Sequence, residues 1–243
     1  MVSLVTGSSR GIGRSIVEEF AKRGIDVVIN YKKDEKTALE FEKYLKEKYN
    51  VGVLVLQCDV SVEEEVEDMV NRVIDEFGKI DILVNNAGVE KDTPFMDIRV
   101  KDFERILNVN LIGTYLCSKY VLKNMLDNKK GVIINISSNN ALDAYYPESA
   151  AYDASKAGVI SLTHNLAIEA APFVRVNAIC PGWIDTDMNS GLDLGQIEDE
   201  KRKILLNRFG KVEDISKVVV FLASNDAKYI NDSIIRVDGG RYN

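Results

Sequence analysis

Tyr152 and Lys156 stand four apart in a run of small residues, Ala150, Ala151, Ala154, Ser155 and Ala157, that begins soon after Ser138. On a helix the two share a face. A phenol near pKa 10 exchanges protons poorly at neutral pH until a cation stabilises its phenolate. At an effective dielectric of about 20, a charge roughly 4 Å away contributes on the order of 4 kcal/mol, which lowers that pKa by up to about three units. The pair therefore suits acid/base work on a carbonyl. Spacing alone does not single it out, because Tyr44/Lys48 and Tyr115/Lys119 have the same separation. Tyr44 and Lys48 lie in a charge-rich run that reads as a solvated helix face. Of the three pairs, Tyr152/Lys156 alone follows a serine that ends an apolar run, Val132 to Ile136.

The elements that must position this pair are legible as short β-branched runs alternating with amphipathic segments. The pattern predicts strands over Ser3–Thr6, Asp26–Tyr31, Val53–Cys58, Ile82–Asn85, Val132–Ser137, Val174–Ile179 and Ser233–Val237. Helices are predicted over Ile12–Arg23, Glu35–Tyr49, Val62–Phe77, Val100–Leu126, Tyr152–Ala170 and Val212–Ala223. Strict alternation of this kind implies parallel pairing with right-handed crossovers. The predicted fold is α/β: a single doubly wound parallel sheet of Rossmann type with helices on both faces, and ligands at the carboxyl ends of its strands. One domain over 1–243 is expected, with a substrate lid at about 183–207.

Polar and glycine residues recur at those strand ends. The first strand runs into Thr6-Gly7-Ser8-Ser9-Arg10-Gly11-Ile12-Gly13 and then a helix, a turn that brings backbone N–H groups and a helix N-terminus to a pyrophosphate. The same residues also fit a plain tight turn. At the second strand end, where dinucleotide folds choose their cofactor, no carboxylate stands, and Asp34 and Glu35 beyond it read as the N-terminal carboxylates of the next helix. Tyr31, Lys32 and Lys33 stand at the strand end instead, with Arg10 able to point the same way. Cations suit the 2′-phosphate of NADP, although lysines there are equally ordinary surface residues. Asp59-Val60, Asn85-Asn86-Ala87-Gly88 and Pro181-Gly182-Trp183-Ile184-Asp185-Thr186 complete the set. Asp59 also reads as a helix cap, and the Asn-Asn-Ala-Gly segment as a turn.

Composition excludes several function classes. With 38 acidic against 31 basic residues and a net charge of −7, binding to nucleic acid or an anionic membrane is disfavoured. No run reaches the roughly 18 apolar residues of a membrane span, and the first apolar run begins at Val2, so a protein without a leader is expected in the cytoplasm. Cys58, Cys117 and Cys180 lie far apart and read as buried free thiols of a reducing compartment. His164, the single histidine, has no acidic neighbour in sequence. It reads as a structural helix residue, which argues against a serine-hydrolase triad, and no metal is expected.

Together, Thr6-Gly7-x-x-x-Gly11-x-Gly13, Asp59, Asn85-Asn86-Ala87-Gly88, Asn110, Ser138, Tyr152-x-x-x-Lys156, Pro181-Gly182 and Asp238-Gly239-Gly240 resemble the short-chain dehydrogenase/reductase family, in family order along the whole chain. Within it the chain is most similar to 3-oxoacyl-(acyl-carrier-protein) reductases, with glucose 1-dehydrogenases as the alternative and a non-catalytic cofactor-binding regulator as a further one. The resemblance implies hydride transfer between NADP(H) and a carbonyl or alcohol. It implies that Ser138 hydrogen-bonds the substrate oxygen, Tyr152 exchanges its proton, Lys156 binds the nicotinamide ribose and depresses the tyrosine pKa, and Asn110 holds a relay water. Cofactor contacts are implied for Gly7, Ser9, Arg10, Gly11, Ile12 and Gly13, for Tyr31, Lys32, Asp59 and Val60, for Asn86, Ala87 and Gly88, for Tyr152 and Lys156, and for Pro181, Gly182, Ile184 and Thr186. A homotetramer and a small or carrier-bound carbonyl substrate are also implied. Val132 and Pro172 stand where many carrier-dependent reductases have arginines, and the loop after Ser138 is polar (Asn139, Asn140, Asp143, Tyr145, Tyr146, Glu148), as in sugar dehydrogenases. Trp183, Met188, Leu192, Leu194 and Ile197 would instead offer an acyl chain an apolar lid.

Overall fold

The computed structural model describes residues 1–186 and 193–242. They form a seven-stranded sheet in which β1 (Val2–Val5), β2 (Asp26–Tyr31), β3 (Val53–Gln57), β4 (Ile82–Asn85), β5 (Gly131–Ile136), β6 (Val174–Pro181) and β7 (Ile234–Val237) lie in the order β3-β2-β1-β4-β5-β6-β7. Every pairing is parallel.

Side chains alternate between two buried faces. Val5, Val27, Ile29, Val84 and Ile134 meet α1 (Gly11–Ala21), α2 (Glu35–Lys48) and α8 (Val212–Ala223) through Phe20, Phe41, Leu45 and Val219. Leu4, Val28, Leu83, Ile133 and Val176 meet α3 (Glu63–Phe77), α5 (Gly113–Asp127) and α6 (Ala150–Ala170) through Met69, Val73, Val121 and Ala167. Burying each large apolar side chain contributes roughly 1.5–3 kcal/mol, so a sheet covered on both faces needs no polar outer side. The chain reverses direction across the sheet between β1 and β4, which opens a crevice at their carboxyl ends.

The predicted helix Val100–Leu126 is not uniform. α4 (Val100–Leu107) passes through one π-helical stretch, Asn108–Ile112, before α5 begins. The wider turn carries Asn110, whose Oδ1 accepts from the Val89 N–H at 2.8 Å and whose Nδ2 donates to the Val89 carbonyl at 3.0 Å. Residues predicted as lid contain a further helix, α7 (Leu194–Arg202), opened by a capping box between Asp193 and Gln196. Met188, Leu192 and the side chain of Leu194 lie outside the described residues.

Candidate active site

The glycine turn is locked to its neighbours before any ligand is considered. Asn30, a polar residue at the end of apolar β2, accepts the Gly7 N–H at 2.9 Å and donates to the Cys58 carbonyl at 3.1 Å. Thr6 Oγ1 accepts the N–H groups of Asn86 and Ala87, both at 3.0 Å, and Asn86 Nδ2 donates back to the Thr6 and Gly7 carbonyls at 2.9 and 3.0 Å. Gly7 adopts φ +60°, and a Cβ there would stand 2.9 Å from Ala87 Cα, so only glycine fits. The N-cap of α1, Arg10, makes no side-chain cap bond, which leaves the first-turn N–H groups facing the cleft.

β5 delivers the other half. Ser138 follows the strand in extended conformation, its Oγ accepts the Asn140 N–H at 3.2 Å, and its hydroxyl is near enough to Tyr152 to favour the phenolate. Helix α6 is fastened to β5 by polar contacts: Ser137 Oγ donates to the Lys156 carbonyl at 2.8 Å, Asn135 Nδ2 to Thr163 Oγ1 at 2.9 Å, and Lys156 Nζ to the Ile136 carbonyl at 2.8 Å. Lys156 Nζ lies 5.6 Å from the centre of the Tyr152 ring.

These halves face one another across a cleft of about 1350 Å³. Gly7, Ser9, Arg10, Gly11, Ile12, Tyr31, Lys32, Asp59, Val60, Asn86, Ala87, Gly88, Ser138, Tyr152, Lys156, Pro181, Gly182, Ile184 and Thr186 all line it. Gly13 and Asn110 do not. Gly13 packs behind the turn, where a Cβ would meet Asn86 Nδ2 and the Gly7 carbonyl at 2.6 Å. The Asn110 side chain is already engaged by Val89 and by Ser155 Oγ at 3.0 Å, so it fixes the segment after Gly88 and does not reach into the cleft. Lys32 is ion-paired with Asp59, two residues assigned separate contacts from sequence.

The electrostatics depart from the sequence expectation. Burial pushes the Tyr152 phenol up, and Glu90 and Asp153 push the same way against the Ser138 hydroxyl. Burial also pulls Lys156 down to about 8 against Cys180 and Glu90. The lysine remains protonated at neutral pH, yet the phenol is raised by burial and carboxylates, not lowered. Glu90 is pushed up to about 7 by the protein walls around it and by Asp92 and Asp153, although its side chain is open to the cleft's solvent. Burial, Glu148 and Asp153 likewise raise Asp92.

Sequence reasoning missed Asn30, Glu90, Glu200 and Arg241. Asn30 had a signal, a polar residue in an apolar strand, and Glu90 had another, a carboxylate two residues after the Asn-Asn-Ala-Gly segment. Of the residues expected to form an apolar wall, Trp183 lines the cleft and Ile197 does not, the other three lying outside the described residues; among the described residues Tyr146, Gln196, Asp199, Glu200 and Lys203 also line it. His164 has a carboxylate partner in space, Nδ1 standing 2.5 Å from Asp232 Oδ1 on the exposed surface away from the cleft. Among the described residues no cluster of side chains is arranged to hold a metal ion, and no helix is long and apolar enough to cross a membrane.

Comparison with known proteins is consistent along the whole chain. A family model described as enoyl-(acyl carrier protein) reductase matches residues 7–242. The 3-oxoacyl-(acyl-carrier-protein) reductase of Staphylococcus epidermidis is 39% identical over 99% of this chain and 98% of its own length. The reductases of the same name from Aquifex aeolicus and Buchnera aphidicola are 39% and 36% identical, each over 99% of this chain and 97% of theirs. A short-chain dehydrogenase/reductase double mutant from Serratia marcescens superposes with a TM-score of 0.92 at 32% identity, covering 98% of this chain and 96% of that one. With the parallel sheet, the glycine turn and the Ser138, Tyr152 and Lys156 cluster, these likenesses lead to one conclusion: the chain is an oxidoreductase that belongs to the short-chain dehydrogenase/reductase family.

Proposed function

We propose that the protein reduces the ketone of a 3-oxoacyl thioester to a hydroxyl with NADPH. The observation that carries this reading is the convergence of Ser138, Tyr152 and Lys156 in the cleft that the glycine turn also lines. The donor set fits a dinucleotide: uncapped N–H groups at the start of α1 suit a pyrophosphate, and Lys32 with Arg10 suits a 2′-phosphate. When bound, NADPH supplies hydride to the carbonyl carbon. Ser138 and Tyr152 hydrogen-bond the carbonyl oxygen, and the raised pKa keeps Tyr152 protonated at neutral pH, ready to give its proton to the forming alkoxide. Lys156, charged below about pH 8, holds positive charge beside the phenolate that results. The acyl carrier protein named by the relatives is proposed to hold the thioester substrate in the cell, in fatty acid synthesis.

Carboxylates at the cleft mouth favour a second reading, oxidation of a sugar or polyol. Glu90, Asp92, Glu148 and Asp199 line the cleft, and carboxylates accept hydrogen bonds from hydroxyl groups while repelling an acidic carrier. Exposed apolar residues on α4, α5 and α6, Val100, Tyr115 and Ile168, and beyond them Phe221 on α8 and Tyr229 before β7, support assembly as a homotetramer. The buried free thiols of Cys58, Cys117 and Cys180 suit the cytoplasm.

The test is turnover of NADPH with an acetoacetyl thioester, compared with NADP and D-glucose, for wild type and Tyr152→Phe. The expected result is higher kcat/KM with the thioester, and a loss of about 10²- to 10⁴-fold in the variant with NADPH affinity kept. Near-normal turnover by Tyr152→Phe removes the tyrosine from the mechanism, and a higher efficiency with glucose reverses the substrate assignment.

A further inference from the structure

The substrate side of the cleft is held by a cluster that the chemistry above does not use. Glu200, near the end of α7, is buried and sits at its centre. Its Oε2 accepts from Tyr146 Oη at 2.6 Å, Trp183 Nε1 at 2.9 Å and Arg241 Nη2 at 3.2 Å, while Oε1 accepts from Lys203 Nζ at 2.6 Å. Arg241 Nη2 also donates to Tyr146 Oη at 2.5 Å, and its guanidinium lies 5.0 Å from the centre of that ring. The Tyr146 ring meets Trp183 edge-on at 5.9 Å, and Trp183 stacks on Phe209 at 5.6 Å.

Four separate parts of the chain meet here: the loop between Ser138 and α6, the residue after Gly182, helix α7, and the carboxyl-terminal tail. The tail runs against the chain that leaves α7, with Leu206 N–H donating to the Gly239 carbonyl at 3.1 Å, Tyr242 N–H to the Lys203 carbonyl at 3.0 Å, and Ile204 bridged antiparallel to Arg241. Tyr146, Trp183, Glu200 and Lys203 line the cleft, whereas Arg241 stands behind them, buried. A buried carboxylate shared by this many donors has one low-energy arrangement, because losing any donor leaves charge or a polar atom unsatisfied.

We propose that Arg241 is a positioning residue for carbonyl reduction: through Glu200 it fixes Trp183 and Tyr146 as the wall against which the substrate's chain is oriented. Arg241 does not line the cleft, and Lys32 follows β2, four strands away in the sheet from the end of β6 beside which Trp183 stands. Its loss therefore weakens productive substrate binding and spares NADPH. The proposal rests on reading the cleft as a carbonyl-reducing site, but Trp183 is the single tryptophan of the chain, so its fluorescence reports the cluster independently of activity.

The experiment compares the full-length wild type with Arg241→Met, Arg241→Lys and Glu200→Gln. It measures KM and kcat for an acetoacetyl thioester, NADPH affinity, and acrylamide quenching of Trp183. In Arg241→Met the expected changes are a rise in KM of about tenfold, kcat within about threefold, unchanged NADPH affinity and stronger quenching, with partial recovery of both KM and quenching in Arg241→Lys. Glu200→Gln, which keeps the side-chain volume, reproduces the rise in KM and in quenching should Arg241→Met fail to fold. Wild-type KM and quenching in the folded variants overturn the proposal, as does a parallel loss of KM, kcat and NADPH affinity that Arg241→Lys does not relieve. If the wild type turns over no carbonyl, the functional reading fails, and quenching unchanged by the substitutions still refutes the cluster's role.

Discussion

Lys32→Ala isolates the source of cofactor preference. Lys32 pairs with Asp59, with half of its side chain exposed, at the end of the cleft that Arg10 and Lys33 also line. A charge-assisted hydrogen bond to a ribose 2′-phosphate contributes about 1.5–3 kcal/mol. An ion pair this exposed contributes at most about 1 kcal/mol, so the phosphate takes the lysine from Asp59 at a net gain of about 0.5–3 kcal/mol. That range corresponds to a preference for NADPH over NADH of roughly 2- to 150-fold. Titrating the fluorescence of each reduced cofactor at low and high salt measures it. The wild-type ratio is expected to fall as salt rises, and Lys32→Ala is expected to bring the two affinities within about twofold of each other. Adding Tyr31→Asp to that variant supplies a carboxylate for the 2′-hydroxyl and should reverse the preference. If wild type binds NADH as tightly as NADPH at low salt, or if Lys32→Ala keeps the wild-type ratio, the cations at the end of β2 do not select the cofactor.

The pH dependence of ketone reduction follows from Lys156, which burial holds at about 8. Reduction should decline above about pH 8 as the lysine loses its proton, and a rate flat to pH 10 would remove the charge from the mechanism. The linked stability has the opposite sign: between about 8 and the unfolded value of 10.5 the unfolded chain binds more protons, so this group's contribution rises with pH, and its penalty is complete below 8. Denaturant titrations of wild type and Lys156→Met should therefore diverge below pH 8 and converge towards pH 10.5, the variant being the more stable at neutral pH. Gly13→Ala places a Cβ 2.6 Å from the Gly7 carbonyl and 2.8 Å from Ser8 Cα, backbone that cannot move without shifting the turn. It should cost about 1–3 kcal/mol and lower Tm by roughly 2–12 °C, and an unchanged melting curve would show the turn to be slack.

What the sequence made legible is what it encodes locally. Strand and helix order, the glycine turn and the Tyr152/Lys156 pair all depend on residues a few positions apart, and the all-parallel pairing of the sheet follows from alternation and crossover handedness, whereas its strand order does not. The π-helical stretch at Asn110 was not legible, because the helix widens there to satisfy Val89, a residue 21 positions away. Glu200 and Arg241 are 41 residues apart, Tyr146 and Arg241 95, and His164 and Asp232 68, and no period or spacing links such pairs. The direction of the Tyr152 shift was also hidden: a lysine four residues on argues for a lower pKa, and only the folded chain brings Glu90 and the walls of the cleft to bear on the same phenol.

That reversal bears on how the site divides its labour. A tyrosine whose pKa is raised in the folded chain is a poor base and a ready source of a hydrogen bond, which suits reduction, where the proton leaves only as the carbonyl oxygen gains charge. Its position does not depend on a ligand, because Ser137, Asn135 and Lys156 tie α6 to β5 through side chains that are themselves buried. Nor does that of the glycine turn, which Thr6, Asn30 and Asn86 hold from both neighbouring strands. Both halves of the cleft are thus preorganised by polar contacts that a substitution can remove one at a time, and preorganisation of this kind reduces the ordering cost that binding would otherwise meet. The acidic mouth works in the other direction. Asp92, Glu148 and, above about pH 7, Glu90 repel an anionic substrate before it reaches Tyr152, so a neutral thioester or polyol meets less resistance than a substrate whose charge lies close to its ketone.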